Sequence, residues 1–379
     1  MPYWRLSGFY LFYFGALGAL VPYWGLYLQD RGLTPLAIGE LMAILTGTKM
    51  VAPNLWGWLV DRGAERMRLV RIACLLAALT FGAIFLADSF WRIAAVMLVA
   101  SFFWNAALPQ MEAITFNHLG ARANRYASVR LWGSIGFILS VAGLGWLLQT
   151  RGTGVVPWVV LALFCGIWAA SLLVPEAPHG HQGKGEDSLR RLLRRPEIQA
   201  FLASCLLMQV SHGAYYAFYS IYLKSAGYDG AAVGGLWAWG VFVEVLVFLR
   251  MHRLLERYGA RRVLLASLGL AVLRWILIGN LVGLVAVQLL AQALHAATFG
   301  AFHASAIHLA HHYFPGRAQG RGQALYNSLS FGAGGAGGSL LAGWLWTAAD
   351  PAATFGVAAL AAGLGWWVAW VWVDPGRRY

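Results

Sequence analysis

Residues able to carry a charge or a proton are scarce in the apolar stretches of this sequence. The ionisable residues singled out in or at the ends of such stretches are Lys49, Glu112, Arg130, Glu244 and Arg274. His212, His295, His303 and His308 are titratable additions. An ionisable side chain inside a membrane-spanning helix costs roughly 2.5–3.5 kcal/mol on insertion scales, so each requires a partner, a water-filled cavity or a ligand. The chemistry these types offer is capture of an anion by the cations and proton uptake by the carboxylates and imidazoles. Nothing in the pattern suggests an enzyme. There is no HExxH, GxSxG or paired-cysteine motif, so an intramembrane protease or lipase lacks its chemistry, and no cofactor or metal is expected. His179 and His181 stand together without a third ligand and read as solvated.

Lys49 and Glu244 fall near the middle of their apolar runs and carry opposite charge. Two readings stand for them: groups facing a partner, a substrate or a proton, or buried charges that specify packing. Glu112 and Arg130 lie nine residues either side of Ala121, which puts them at equal depth on antiparallel helices and within reach of an ion pair. Asn105 shares a helical face with Glu112, and Ser134 shares one with Arg130. Arg274 is six residues before Asn280, so it either serves a site or snorkels to the membrane boundary. His212 is followed by Tyr215, Tyr216 and Tyr219, a stripe that reads as aromatic packing or as a histidine poised for proton transfer. His295, Phe299 and His303 share a face at a spacing of four, with His295 the deeper histidine. His308, His311 and His312 lie toward a polar loop.

The elements that position these residues follow from composition. The chain has 379 residues, 60% hydrophobic and 11% charged, a balance that points to bilayer as its solvent. Apolar runs of roughly 20 residues, enough to cross the hydrocarbon, recur as Phe9–Leu28, Leu36–Val60, Leu69–Ala87, Ile93–Met111, Leu131–Leu148 and Val155–Val174. A second series reads Ala200–Leu223, Ala231–Leu249, Val263–Gly279, Leu281–Leu309, Ala324–Thr347 and Ala352–Val373. The expectation is an all-α membrane protein with twelve transmembrane helices. Residues 1–174 form one six-span half, 175–196 a cytoplasmic linker, and 197–379 the second half.

Lys and Arg concentrate in alternate loops, at Arg62–Arg71, Lys184–Arg195 and Arg250–Arg262 among others, which places both termini in the cytoplasm by the positive-inside rule. The net charge of +13 is thereby assigned to topology and anionic headgroups rather than to nucleic acid. The first apolar run is too long for a cleaved signal peptide. Cys74, Cys165 and Cys205 fall inside spans and read as small packing residues. The GAGGAGG run from Gly332 to Gly338 lacks a following Lys-Ser/Thr, so it reads as a close helix contact rather than a phosphate loop.

An internal repeat organises the spans. The stretch YWGLYLQDRGLTPLAIGELMAI from Tyr23 aligns without gaps to FYSIYLKSAGYDGAAVGGLWAW from Phe218 at an offset of 195. The same offset pairs Lys49 with Glu244, and Asp61, Arg62 and Arg66 with Glu256, Arg257 and Arg261. Parallel six-span repeats are one architecture of alternating-access transporters, with the site at the midplane between halves.

GWLVDRGAERMR, from Gly57 to Arg68, resembles a degenerate loop motif of the major facilitator superfamily, keeping Gly57, Asp61 and Arg62 as a conformational element. VRLWGSIGF from Val129, QVSHGAYYAFYSIYLKSAGY from Gln209 and GGLWAWGVFVEV from Gly234 resemble the phenylpropionate permease branch, and the likeness runs over essentially the whole chain. That branch is similar to the lactose permease and nucleoside symporter groups. The resemblance to lactose permeases implies a substrate-binding acid and base at Glu112 and Arg130, and polar site residues at Glu244, Arg274 and His295. Thr298 stands where those permeases carry a glutamate. The proton carrier expected here is therefore Glu244, with Arg130 shared between the two glutamates.

The function expected is proton-coupled uptake of a small aromatic carboxylate, such as 3-phenylpropionate, across the bacterial inner membrane by a monomer. Lys49 or Arg130 would take the carboxylate, and Tyr215, Tyr216, Trp237 and Phe299 the ring. The alternatives are a sugar or nucleoside symporter, an efflux pump, and a transporter-like receptor that does not transport.

Overall fold

The computed structural model describes residues 2–177 and 189–373, without the side chains of residues 121, 123, 124 and 317. Among the described residues the regular structure is helical throughout, with no strand. Ten helices are long and apolar enough to cross a membrane: α1 (Tyr3–Asp30), α2 (Pro35–Asp61), α3 (Arg66–Leu86), α4 (Phe90–Leu119), α5 (Tyr126–Arg151), α6 (Thr153–Leu173), α8 (Gly230–Phe248), α9 (Ala260–Asn280), α10 (Val285–Tyr313) and α12 (Pro351–Trp372). Two further expected spans are helical but fall below the others in apolar content. They are α7 (Pro196–Ser225) and α11, residues 319–348. Polar and tyrosine residues from Gln209 to Tyr216 dilute α7, and the glycine run dilutes α11.

Local sequence explains the boundaries. Thr34 and Asp350 cap helices by accepting hydrogen bonds from the amides of Ala37 and Ala353, at 3.3 and 2.7 Å, each with proline as the next residue. Gly32 and Gly227, aligned by the offset of 195, turn the chain after α1 and α7 with φ of 80° and 92°, a conformation that disfavours a side chain. Within α2 a single 3₁₀ turn, Thr48–Met50, precedes Pro53 and breaks the helix next to Lys49. In α10 and α11 the interruptions are π-helical turns, Ala296–Ala301 and Ser328–Gly334.

The chain divides into two compact units. One holds Met1–His181 and Gly227–Ala238, the other Gln182–Ala226 and Trp239–Tyr379, so the division runs through α8. In the first unit α1 packs on α5 and α6, and α3 on α4 and α6. In the second, α7 packs on α11 and α12, and α9 on α10 and α12. Small residues allow the close approaches. A Cβ at Gly334 would stand 2.7 Å from the Leu206 carbonyl oxygen, and one at Gly338 would strike Val210, so the glycine run is where α11 meets α7. Large apolar side chains face outward, among them Leu139, Trp146, Trp158, Leu173, Leu360 and Trp370. That inversion of a soluble surface matches a hydrocarbon solvent.

Arginines close each unit at one end. Arg71 donates to the carbonyls of Ser171 and Val174 at the end of α6, and Glu176 accepts from the amide of Met67 at the start of α3. Arg261 likewise donates to the carbonyls of Trp370 and Val373 after α12, at 2.7 and 2.6 Å. Of the expected linker, Leu189–Leu192 is a short helix. His179, His181 and Lys184 lie outside the described residues, as do Arg377 and Arg378. Cys74 and Cys205 are buried, but Cys165 faces outward and does not pack as expected.

Candidate functional site

The polar residues of the second unit gather around Arg274. Its side chain is wholly buried, so it does not snorkel. A guanidinium is tolerated there because its edge and its faces are both occupied. Nε donates to the Ala291 carbonyl at 2.9 Å, Nη1 to Thr298 Oγ1 at 3.1 Å and Nη2 to Gln292 Oε1 at 3.2 Å. Its Cζ lies 4.2 Å from the ring centroid of Tyr215 and 4.6 Å from that of Trp275. Gln292 Oε1 also accepts from the Tyr215 hydroxyl at 3.0 Å, and Gln288 accepts from Tyr219 one turn away at 3.1 Å. Each of these three acceptors, on Ala291, Thr298 and Gln292, is neutral. Thr298, at the position where a glutamate was the alternative, therefore supplies an acceptor without supplying a charge.

Glu244 on α8 meets His295 on α10, with Nε2 3.4 Å from Oε2. Two glycines make room. A Cβ at Gly300 would stand 2.9 Å from Glu244 Cγ, and one at Gly240 would stand 3.2 Å from Gln292 Oε1 and 3.6 Å from His295 Cβ. The His295 ring lies 5.7 Å from that of Tyr215, which joins the carboxylate–imidazole pair to the Arg274 cluster. His212 is wholly buried, and its Nδ1 donates to the Met208 carbonyl at 2.8 Å. Its ring packs edge-on against Trp275 and near Tyr216. Three polar atoms here are buried without a partner: Nε2 of His212, Nδ1 of His295 and Nε2 of Gln292. Unpaired buried groups are costly, and their concentration in one place marks a site that a ligand or water completes.

The first unit holds its charges apart. Glu112 accepts a hydrogen bond from the Tyr126 hydroxyl at 3.2 Å. Arg130 does not form the expected ion pair with it. Its guanidinium lies instead over the Phe14 ring, 3.5 Å from the centroid. The physical reason is that α1, packed on α5, offers Arg130 the aromatic face of Phe14, while Tyr126 satisfies the carboxylate from within α5. Tyr10 shares a hydrogen bond with Thr115, at 3.1 Å, and lies edge-on to Tyr126. Lys49 is half-buried at the break in α2 and makes no hydrogen bond or ion pair with a described residue. Beside it Asn105 donates to the Leu45 carbonyl and to Thr48 Oγ1, at 3.0 and 2.8 Å, which fixes the broken turn. Ser134 is half-buried on α5.

Of the loop motif, Gly57 and Asp61 lie in the last turns of α2, and the Arg62 guanidinium stacks 3.8 Å from the Trp58 ring centroid. Toward the polar end of α10, His308 is exposed and His311 shares a 3.3 Å hydrogen bond with Gln323. Gln288, Gln292 and Phe14 were not expected in a site. The glutamines were legible, since two amides one turn apart in an apolar run need partners as ionisable groups do.

The MFS_1 like family model matches residues 3–357. The chain is 31% identical over 359 residues to the "Probable 3-phenylpropionic acid transporter" of Escherichia coli (strain K12), covering 90% of both chains. It is 26% identical to the "Maltose permease" of Geobacillus stearothermophilus, covering 89% of this chain and 87% of that one. Its fold is similar to the crystal structure of the nucleoside transporter NupG, with a TM-score of 0.82 at 17% identity over 98% of each chain. The POT family transporter PepTSo gives a TM-score of 0.75 at 13% identity, over 98% of this chain and 96% of that one. These relatives are membrane transporters, not enzymes. The chain belongs to the MFS_1 like family and is a multi-pass membrane transporter of the major facilitator superfamily.

Proposed function

We propose that this transporter takes up a small aromatic carboxylate together with protons by alternating access. The observation that carries the reading is Arg274, a buried cation held by neutral acceptors against the faces of Tyr215 and Trp275. A carboxylate would neutralise that charge, and an aromatic ring would match the surrounding tyrosines. Glu244 and His295 provide a pair that holds a proton beside it. A proton on this pair leaves Arg274 as the net charge for the anion to meet, and its loss restores a carboxylate that repels the anion. The 31% identical relative named for 3-phenylpropionic acid supports the substrate class. Lys49, Glu112, Arg130 and His212 belong to the same proposal as residues that tune the anion and proton sites.

The architecture proposed with this function is twelve spans in two parallel repeats, 1–174 and 197–379, joined by the linker 175–196. The arginine-rich loops support cytoplasmic termini in a bacterial inner membrane, and the chain is proposed to act as a monomer. A second reading, sugar–proton symport, is favoured by the maltose permease relative and by the amides at Gln288 and Gln292, which suit hydroxyl groups.

Uptake of labelled 3-phenylpropionate into vesicles carrying the purified protein, with and without an inward proton gradient, tests the proposal. Gradient-driven accumulation is the expected result. Absence of uptake by folded protein, with maltose accumulated instead, would replace it with the second reading.

A further inference from the structure

His295, Phe299 and His303 form a stack that an ordinary helix would not build. Residues spaced by four in an α-helix drift by about 40° around the axis at each step, so rings at 295, 299 and 303 would fan over about 80°. The π turn Ala296–Ala301 lies between the two histidines. Its wider turns hold more residues each and remove that drift. The rings are consequently near parallel. His295 and Phe299 are 5.3 Å apart at 5°, and Phe299 and His303 are 6.4 Å apart at 12°. The second π turn, Ser328–Gly334, brings Phe331 edge-on to the stack, 6.2 Å from Phe299 and 5.5 Å from His303.

Both ends of the stack touch a polar group. His295 meets Glu244 at one end. At the other, His303 Nδ1 lies 3.0 Å from the hydroxyl of the buried Tyr326, whose ring is 6.0 Å away. That contact serves either protonation state. A neutral imidazole with a bare Nδ1 accepts from the tyrosine O–H, and an imidazolium donates Nδ1–H to the tyrosine oxygen. Phe299 presents a π face to both imidazoles, and such a face stabilises a cation. Titratable and charged groups facing the stack include Glu244 from α8, Tyr215 and His212 from α7, Arg274 from α9 and Tyr326 from α11. Arg274 and Glu244 lie at the His295 end, and Tyr326, Phe299 and Phe331 pack against His303.

We propose that His303 is a second protonation station of the transport cycle, coupled to the Glu244–His295 pair through the Phe299 stack. The inference rests on the proton-coupled reading above and adds to it a site where a proton from the aqueous phase binds His303 and later returns to it. The stack, rather than Glu244 alone, then sets how transport depends on pH.

His303→Asn is the informative variant, because its amide keeps a hydrogen bond to Tyr326 but cannot titrate. Substrate exchange across vesicles without a gradient should stay within about twofold of the native protein, since exchange needs no net proton movement. Gradient-driven accumulation should fall by about tenfold, and its pH profile should flatten. Phe299→Leu should shift the same profile by a smaller amount in the same direction, and Phe299→Tyr should restore it. Native accumulation in His303→Asn, or loss of exchange as complete as the loss of accumulation, would overturn the proposal. A readout independent of substrate separates this inference from the function it rests on. In ¹⁵N-histidine-labelled protein in nanodiscs, the resonance absent from His303→Asn should titrate between about pH 5 and 8. A constant shift over that range overturns the station. Absence of gradient-driven uptake by the native protein instead overturns the transport reading, whatever the nitrogen resonance does.

Discussion

The two units solve the problem of charge in an apolar surrounding in different ways. In the first, Glu112, Arg130 and Lys49 are each half-buried and have no direct pair: the carboxylate is met by Tyr126, the guanidinium by the face of Phe14 and the ammonium by no described group, although Glu112 and Arg130 lie near enough to feel each other's charge. In the second, Arg274, Gln292, Tyr215 and Thr298 form one connected cluster, joined through the Tyr215 ring to Glu244–His295. Residues that share partners respond together to a change in any one of them, whereas separate residues respond alone. The second unit is therefore the part in which the groups proposed to meet an anion and to hold a proton share direct contacts.

Substitutions should expose that difference. The largest effect is expected for Arg274→Ala, which removes the cation, takes the donor from Thr298 and leaves Gln292 with Tyr215 alone. Initial uptake should fall by on the order of a hundredfold, as expected for loss of several hydrogen bonds from a charged group. Arg274→Lys should recover little, because an ammonium cannot hold three fixed bonds and stack on two rings. Near-native rates in the lysine variant would show that the cluster's geometry is irrelevant. Next comes Glu244→Gln, in which accumulation should fall by about tenfold and lose its pH dependence while exchange persists. Normal proton coupling in this variant would remove Glu244 from the mechanism. A smaller effect, about threefold on uptake, is expected from Phe14→Leu, which withdraws one stacking face from Arg130. Smallest is Tyr126→Phe, which deletes one hydrogen bond to Glu112 and should change the Michaelis constant by about twofold. A Tyr126 effect equal to that of Arg274→Ala would mean that the first unit is as tightly connected as the second.

Much of the arrangement was legible because bilayer imposes few choices. Ten of the expected spans follow from length and apolar content, and the Thr34-Pro35 and Asp350-Pro351 caps mark two of their starts. Arg274 was visible as a charge, but its direction was not, since six residues from a helix end allows either snorkelling or burial. Packing decided between them, through Tyr215 and Trp275 on one side and the amides of α10 on the other. The expected Glu112–Arg130 pair failed because equal depth fixes height along a helix and not rotation around it. Phe14 could not be anticipated, as it comes from α1, over a hundred positions away in sequence. The glycines at 240 and 300 left no signal of their own, since the room they make becomes meaningful only when Gln292 and Glu244 are known to occupy it.

The arginine grips at the ends of the units bear on the order in which the chain can be assembled. Arg71 reaches the last carbonyls of α6, and Glu176 returns to the start of α3, so this fastening needs nothing translated after position 176. The matching grip of Arg261 on Trp370 and Val373 cannot close until α12 has been translated. The first unit's fastening can thus close within about 105 residues of Arg71, whereas the second unit's arginine must wait for α10, α11 and α12 before its acceptors exist.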